Sequence, residues 1–403
     1  MDIRRLPENL INQIAAGEVV ERPSSALKEL IENSIDADAT QIDITIDNGG
    51  KNLISVSDNG IGIKKNLIPM AIERHATSKL PNNDLNKIAY LGFRGEALPS
   101  IAAVSELNIQ TKFIDSNQAW SLDVAAGNFN EAYPSSRQTG TIISVKKLFY
   151  ATPARLKFLK SAQVEKSYCH QIILKQALAN PLVGFKFQAD AREIFNIRPE
   201  IEDENSYLNR IRNIMGLNFS NEAIKIENSK LIKENEFANI YGFIGLPTLN
   251  KSNYNQQHLF INGRFIQDRN LSGAIRAAYR DTLPKGRFPV FCLFINVPSE
   301  FIDVNVHPGK TEVRFQDNAL IRSLIVGSIS RELHISYSET TTDLSKEALK
   351  RFDNATELSP NIQNKTNQSF FEHGDVIPSV KPVKNENNQN EVTNVFVQED
   401  FPL

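Results

Sequence analysis

The chain has 403 residues, of which 41% are hydrophobic and 23% are charged, as in ordinary globular proteins and unlike collagens, coiled coils or wholly disordered chains. Its length leaves room for two or three domains. The sequence has no apolar run near the ~18 residues of a membrane span, no apolar signal sequence and only two cysteines, too few for a disulfide framework. We therefore expect a cytoplasmic protein.

The first predicted helix begins at Pro23, a residue suited to the first helical turn, and runs through Ile35. Isoleucines at positions 42, 44 and 46 then alternate with polar residues, and an Asn-Gly-Gly turn follows at 48–50. A second alternating run covers Leu53–Asp58. Two such runs around a glycine turn predict a β-hairpin.

A long helix is predicted over Glu165–Ala179, and the acidic stretch Ala191–Asn205 is expected to be a domain junction. After about Tyr337 the periodicity fades and Asn, Gln and acidic residues dominate, which predicts a disordered tail. The tail from His334 has a net charge of −5, whereas the residues before it have +3. Between the junction and the tail, two helices and three strands are predicted near Tyr207–Met215, Leu271–Tyr279, Ala238–Ile244, His258–Ile261 and Val290–Ile295.

Two polar groups lie beside the apolar face of the first helix. Glu29 and Asn33 are four residues apart, so they lie together on one side of it. A carboxylate can deprotonate an attacking water, and an amide oxygen can ligate Mg²⁺. The alternative is a solvated helix rim.

Asp58 ends the second predicted strand and shares the alternation of its buried residues, so its carboxylate should point into the core and need a donor. An exocyclic amine such as that of adenine would serve. Gly60 and Gly62 follow and would let a flat ligand approach the backbone. The alternative is a tight acidic turn.

Two further segments bear on phosphate binding. The glycine-rich stretch Gly92–Leu98 precedes a predicted helix, whose N-terminal amides would suit phosphate, although the stretch also suits a flexible loop. Gly309-Lys310-Thr311 resembles the end of a Walker A loop, but Val304 stands where that motif needs glycine.

A set of motifs in a fixed order carries a family resemblance. The chain resembles the MutL family of DNA mismatch repair proteins, members of the GHKL superfamily of ATPases. The resemblance spans about residues 1–333. The matching stretches are Ile11–Pro23, Lys28–Ala37, Asp58–Ile63, Arg74–Lys79, Gly92–Leu98, Leu148–Arg155, Ile261–Arg264 and Asp303–Lys310.

This resemblance implies an α+β fold in three parts. Residues 1–200 would form a GHKL (Bergerat-type) ATPase α/β sandwich, and 201–335 a transducer-like βαβ domain with a DNA-binding groove. Residues 336–403 would be a disordered, acidic, Asn-rich linker, with the family's C-terminal dimerisation domain absent and the chain expected to be a truncation or fragment.

The implied cofactors are ATP and Mg²⁺. Glu29 would be the general base, Asn33 would hold Mg²⁺, Asp58 would accept from the adenine amine, and Lys310 would reach the γ-phosphate from the second domain. The other implied ATP-binding residues are Gly62, Thr77, Ser78, Lys79, Gly92, Phe93, Arg94, Gly95, Glu96, Ala97, Leu98 and Thr141.

The resemblance also implies a role as an ATP-dependent matchmaker or clamp that couples mismatch recognition to downstream repair. Such a protein would hydrolyse ATP, dimerise on ATP binding, and bind DNA without sequence preference, single strands being favoured, through Arg264, Arg269 and Arg276. Its expected partners are the mismatch-recognition protein MutS and downstream nuclease and helicase factors. The family's endonuclease motif does not occur in this chain.

Three other functions are alternatives to this one. A sensor histidine kinase needs a phosphoacceptor histidine before Asn33, and none of the 32 preceding residues is histidine. A gyrase-like subunit needs a metal-binding Toprim domain after the transducer, and the tail shows none. A scaffold that binds ATP or DNA without turnover stays open, and ATP turnover with and without single-stranded DNA would separate it from an enzyme.

Overall fold

A computed structural model describes residues 4, 7–79, 95–303 and 313–336. All of them belong to a compact unit that spans residues 1–344. Within it, the described strands form two large sheets.

The first sheet is mixed. Its described strands run in the order β5-β4-β3-β7-β2-β1-β8-β9, with β6 paired to β4. The pairing of β1 with β8 is parallel and the others are antiparallel. The strands are β1 (Gln41–Asp47), β2 (Leu53–Asp58), β3 (Glu106–Lys112), β4 (Ala119–Ala125), β5 (Asn128–Phe129), β6 (Tyr133–Ser135), β7 (Gly140–Lys146), β8 (Gly184–Ala189) and β9 (Arg192–Ile197).

Helices cover one face of this sheet. They are α1 (Glu8–Val19), α2 (Pro23–Asp36), α3 (Ala97–Ala103) and α5 (Ala162–Ala179), whereas the short helix α4 (Pro153–Phe158) has no buried residue. Leu27, Leu30 and Ile31 of α2 pack into a core with alternate residues of β1 and β2. Each such buried side chain contributes about 1.5–3 kcal/mol, which fixes the rotation of α2 on the sheet. Pro23 supplies the first turn of α2, and Asp38, with φ 58°, lies just past its end.

The second sheet has helices on both faces. Its described strands run in the order β10-β11-β16-β13-β14, and β13 and β16 are parallel, with α8 in the connection between them. Helix α8 and residues 318–336 pack on one face, whereas α6 and α7 pack on the other. The elements are α6 (Ser206–Met215), α7 (Leu217–Asn221), β10 (Ala223–Lys233), β11 (Glu236–Gly245), β12 (Asn250–Lys251), β13 (Gln257–Ile261), β14 (Arg264–Ile266), α8 (Arg269–Ala278), β15 (Phe288–Pro289), β16 (Phe291–Asn296), β17 (Ile302–Asp303) and β18 (Arg314–Phe315).

Several predicted elements are confirmed. The hairpin is β1 and β2, with positive φ angles at residues 48–50 in its turn, and the long helix is α5, which begins three residues earlier than predicted. The expected junction Ala191–Asn205 is partly wrong, because Arg192–Ile197 pair with β8 as an edge strand. The domain boundaries stay predictions, and the predicted disordered tail lies outside the described residues.

Candidate nucleotide site

Asp58 is the centre of a cluster of polar groups at the end of β2, between the first sheet and α2. It is 8% exposed, as its position in the strand predicts. One carboxylate oxygen, Oδ1, accepts from the backbone N–H groups of Gly60 (3.0 Å) and Thr141 (3.1 Å). The other, Oδ2, accepts from the Ser34 hydroxyl on α2 (3.0 Å). The carboxylate is thereby fixed in orientation by three elements.

The electrostatics of Asp58 are set mainly by its burial. Burial raises the pKa of this carboxyl group, and its hydrogen bonds together with the charge of Arg137 lower the pKa in part. Arg137 also donates to the Asp58 carbonyl oxygen (3.0 Å). A carboxylate oxygen has about two lone-pair sites, and among the described residues Oδ2 accepts one hydrogen bond, that of the Ser34 hydroxyl. Asp58 can therefore accept one further donor, as an amino-purine provides.

Two glycines near Asp58 allow close approaches between backbone segments. Gly140 has φ 119°, and a Cβ there would lie 2.1 Å from the Asp58 carbonyl oxygen. Gly62 has φ 73°, and a Cβ would lie 2.1 Å from the carbonyl oxygen of Lys112. Because no side chain fits at either place, the backbone around Asp58 requires glycine at both positions.

A second polar chain continues from Thr141. The hydroxyl groups of Thr111 and Thr141 lie 3.1 Å apart, since β3 and β7 pair these residues. Thr111 also accepts from the N–H of Ile63 (2.8 Å). The buried hydroxyl pair holds the glycine turn after Asp58 against the sheet. Thr111 was missed in the sequence because only the strand register places it here.

The half-buried side of α2 carries the other predicted residues. Glu29 and Asn33 are half-buried on one side of the helix, as predicted. The amide oxygen Oδ1 of Asn33 accepts from the ammonium group of Lys79 (2.7 Å), and Asp36 Oδ2 accepts from the same group (2.5 Å). These two oxygens of α2 thus converge on one cation. Oxygen atoms are also the ligands that Mg²⁺ prefers. In the described part of the chain, no cluster of three or more His, Cys, Asp or Glu residues is arranged to hold a metal.

Arg264 lies against α2 rather than on an open surface. It begins β14 and is 9% exposed. Burial lowers the pKa of its guanidinium, and the nearby carboxylates of Glu32, Asp36 and Glu29 raise it. Glu32 is itself buried and accepts from Gln176 of α5 (3.3 Å). The second sheet therefore places a cation beside the acidic side of α2.

The two predicted phosphate segments meet at Gly95. This residue has φ 61°, and a Cβ would lie 2.4 Å from the carbonyl oxygen of Ala76, which adjoins Thr77. The Thr77 hydroxyl accepts from the N–H of Lys79 (3.1 Å), so the turn through Ser78 is closed locally. Glu96 precedes α3, and Ala97 and Leu98 are its first two residues. The remaining predicted residues, Gly92, Phe93, Arg94 and Lys310, lie outside the described residues.

Of the three predicted DNA-binding arginines, two are exposed. Arg269 begins α8 and Arg276 lies near its end, with its guanidinium 4.7 Å from the ring centre of Phe288. Arg264 does not belong to this exposed pair.

Among the described residues, no helix is long and apolar enough to cross a membrane.

Two family models match this chain, one over most of the first sheet and one over the second sheet. Residues 21–149 match the histidine kinase-, DNA gyrase B- and HSP90-like ATPase family, and residues 211–334 match the C-terminal domain of the DNA mismatch repair protein family. The MutL protein of Paramagnetospirillum magneticum is 45% identical over 334 residues, which are 83% of this chain and 54% of that protein. The chain belongs to the MutL family of DNA mismatch repair proteins.

Solved structures share the fold of this chain. The N-terminal domain of a DNA repair protein has a TM-score of 0.69 at 23% identity, and the match covers 81% of this chain and 98% of that one. The Aquifex aeolicus MutL ATPase domain complexed with ADP has a TM-score of 0.52 at 25% identity, covering 70% and 93%. The predicted α+β class, a GHKL ATPase sandwich followed by a transducer-type domain, is confirmed. The chain spans about half the length of the curated MutL relative it matches.

Proposed function

We propose that this MutL-family chain binds ATP at the polar cluster around Asp58 and hydrolyses it to ADP and phosphate, in support of DNA mismatch repair. One observation carries the proposal. The buried, oriented carboxylate of Asp58 lies against Ser34 near the end of α2 and can accept a further hydrogen bond. On the same helix, Asn33 and Glu29 offer an amide oxygen and a carboxylate side by side. These elements lie in or beside residues 21–149, the ATPase family match.

The proposed roles follow from chemistry and placement. Asp58 accepts from the adenine amine, while Gly62 and Thr141 shape the wall around the base. Asn33 supplies an oxygen to Mg²⁺, which when bound neutralises phosphate charge. Glu29, half-buried beside Asn33, orients and deprotonates the attacking water.

The proposed triphosphate contacts come from residues other than those around Asp58. We assign Thr77, Ser78 and Lys79 and the stretch Gly92–Leu98 to the phosphates, and Lys310 to the γ-phosphate. The close approach of Gly95 to Ala76 supports a shared role for the two segments. Lys310 acts as a cation at the transferring phosphoryl group rather than as a Walker A lysine.

For DNA, we propose contacts from Arg269 and Arg276. Both are exposed on α8 and both are cations, so they suit phosphate binding without sequence preference. The proposed partners are MutS and downstream nuclease and helicase factors, to which an ATP-dependent matchmaker would couple mismatch recognition.

The test of the ATPase proposal is Glu29→Ala. We expect nucleotide affinity to stay within threefold of the parent chain and hydrolysis to fall by about 10²–10⁴-fold, because a general base acts on water and adds little to ground-state binding. The assays are phosphate release and titration with a fluorescent, non-hydrolysable ATP analogue. Glu193→Ala, an exposed glutamate of β9, is the matched control. Wild-type turnover in Glu29→Ala would refute the assignment, and absent turnover in the parent chain with normal binding would favour a non-enzymatic scaffold.

We also propose that ATP binding drives dimerisation. Helix α1 exposes Leu10, Ile11 and Ile14, an apolar stripe suited to a second copy of the chain. Light scattering should show a monomer without nucleotide and with ADP, and a dimer with the non-hydrolysable ATP analogue. Equal dimer fractions with ADP and the analogue would show that the γ-phosphate is not the switch.

A further inference from the structure

Arg137 is a half-buried arginine whose guanidinium group bonds to three backbone carbonyl oxygens. Its Nη2 donates to the carbonyl oxygen of Asp58 (3.0 Å), its Nη1 to that of Gln110 (2.9 Å) and its Nε to that of Gln138 (2.9 Å). Within the described part of the chain, Arg137 makes no ion pair, and Asp58 is the one carboxylate whose charge acts on it. Its positive charge is therefore not taken up by another acidic side chain there.

The three bonds of Arg137 link the two strands on either side of β7. The sheet order places β7 between β2, which ends at Asp58, and β3, which contains Gln110. Arg137 itself lies three residues before Gly140, the first residue of β7. One side chain thus fastens the end of β2 and the middle of β3 to the segment that leads into β7. The backbone position of Asp58 is held by this contact independently of the bonds that its carboxylate makes.

The orientation of the Asp58 carboxylate depends on the same stretch of backbone. Its Oδ1 accepts from the N–H groups of Gly60, two residues further along, and of Thr141, at the start of β7. A shift of the Asp58 backbone relative to β7 would change both distances, and a hydrogen bond weakens steeply when its geometry is lost. Arg137 therefore restrains the group that we propose to accept the adenine amine.

Arg137 also acts on the charge of this carboxyl group. Burial raises the pKa of Asp58, whereas the positive charge of Arg137 lowers it. The other described groups that bond to the carboxylate, on Ser34, Gly60 and Thr141, are uncharged. Arg137 is thus the described side chain whose charge favours the ionised form, and an ionised acceptor makes a stronger hydrogen bond to an amine than a neutral one.

We propose that Arg137 is a positioning residue that makes the Asp58 site selective for an amino-purine. This inference rests on the proposed nucleotide binding and adds to it the residue that sets the base preference. Arg137 acts through Asp58, because it fixes the backbone of that residue and favours the ionised carboxylate. Its replacement should weaken the binding of an adenine nucleotide more than that of a purine nucleotide without the exocyclic amine.

The experiment measures two Kd values in Mg²⁺ from about pH 4.5 to pH 8, a range that covers a raised carboxyl pKa. The ligands are ADP and purine riboside diphosphate, which is ADP without the exocyclic amine, so the ratio of their Kd values reports the amine contact. In the parent chain this ratio should fall as the pH falls and Asp58 takes up a proton. In Arg137→Met the midpoint of the fall should lie about one pH unit higher, because a nearby unit charge changes a carboxyl pKa by about that much in a partly buried site. Between the two midpoints the ratio should be up to about tenfold lower than in the parent chain, since one pKa unit is a tenfold change in equilibrium.

Three further variants complete the design. Arg137→Lys keeps the charge without the three-bonded fork, so its midpoint should return towards the parent value. Arg137→Gln keeps an amide donor without the charge, so its midpoint should match that of Arg137→Met, which it replaces if Arg137→Met does not fold. Arg192→Met is the matched control, because Arg192 is an exposed arginine of β9 in the same sheet and should alter neither the ratio nor the midpoint. Circular dichroism checks folding.

The outcomes separate this inference from the proposed function. A lower Kd ratio in Arg137→Met, with a midpoint at higher pH that Arg137→Lys reverses, supports it. A ratio and midpoint like those of the parent chain overturn it, as does an equal loss of affinity for both ligands, which would make Arg137 a structural residue only. A parent chain that binds neither ligand, or binds both equally at every pH, would instead reject the proposed adenine contact of Asp58 and this inference with it.

Discussion

Replacing Asp58 by asparagine is expected to remove adenine recognition while leaving the fold intact. The asparagine oxygen can still accept from the N–H groups of Gly60 and Thr141, which now bond to Oδ1. Its amide nitrogen would take the place of Oδ2 and donate to the Ser34 hydroxyl, which in turn can donate to the Leu30 carbonyl oxygen (3.3 Å). Since burial already raises the pKa of Asp58, a neutral group is tolerated there.

The loss of ATP affinity in Asp58→Asn follows from the hydrogen bond that its side chain can no longer accept. An amine that donates to the carboxylate would instead meet an N–H donor, so one hydrogen bond to a charged group, about 1.5–3 kcal/mol, is lost. We expect the Kd for ATP to rise about 10- to 150-fold. The free energy of unfolding without nucleotide should change by less than about 1 kcal/mol, measured by urea denaturation.

A second ligand isolates the contact. The parent chain should bind a purine nucleotide without the exocyclic amine about as weakly as Asp58→Asn binds ATP, and the variant should hardly distinguish the two ligands. This cycle measures the amine–carboxylate term separately from any general loss. Equal discrimination by the parent chain and the variant would refute the assignment of Asp58 to adenine.

Two further expectations concern DNA binding and stability. Arg269→Glu should weaken single-stranded DNA binding and lower the salt slope by about one unit, whereas Arg192→Glu on exposed β9 should not; an unchanged slope in titrations at several salt concentrations would contradict the role of Arg269. Burial lowers the pKa of Lys175 to about 8, with Lys28 nearby adding to the effect. Because the unfolded chain then binds the proton more tightly, the penalty is complete below pH 8 and fades as the pH rises towards about 10.5, the ordinary lysine value. Lys175→Met should therefore stabilise the chain at pH 7 by about 1–2 kcal/mol, because the contact of Lys175 with the Phe265 ring offsets part of the burial penalty. Urea denaturation at pH 7 and pH 10 should show a smaller gain at the higher pH. An equal gain at both pH values would contradict the burial penalty as its origin.

Local patterns predicted the hairpin and α2 well. Alternating isoleucines and a glycine turn leave few alternatives for β1 and β2, and Pro23 marks the start of α2. The same alternation predicted that Asp58 points inward. Strand β9 was missed because most of its residues are exposed, so its composition is that of a loop.

Contacts between distant segments could not be predicted in the same way. The partner of Asp58 on α2, Ser34, and the Thr111–Thr141 pair depend on how α2 and β7 lie against their neighbours. The family resemblance implied DNA binding by Arg264, yet tertiary packing buries this residue beside α2. The family motifs named many candidate residues, but they contain no information on which side chains touch.

Helix α5 belongs to two hydrophobic cores at once. Cys169, Ile173 and Ala177 pack under the first sheet, whereas Leu178, the next residue, packs with the aromatic face of the second sheet. Loss of either core would leave part of this helix without its packing partners. The ATPase and transducer-like halves are therefore expected to melt as one cooperative unit, and a chain cut near residue 200 would present Leu178 to water and tend to aggregate rather than persist as an independent ATPase.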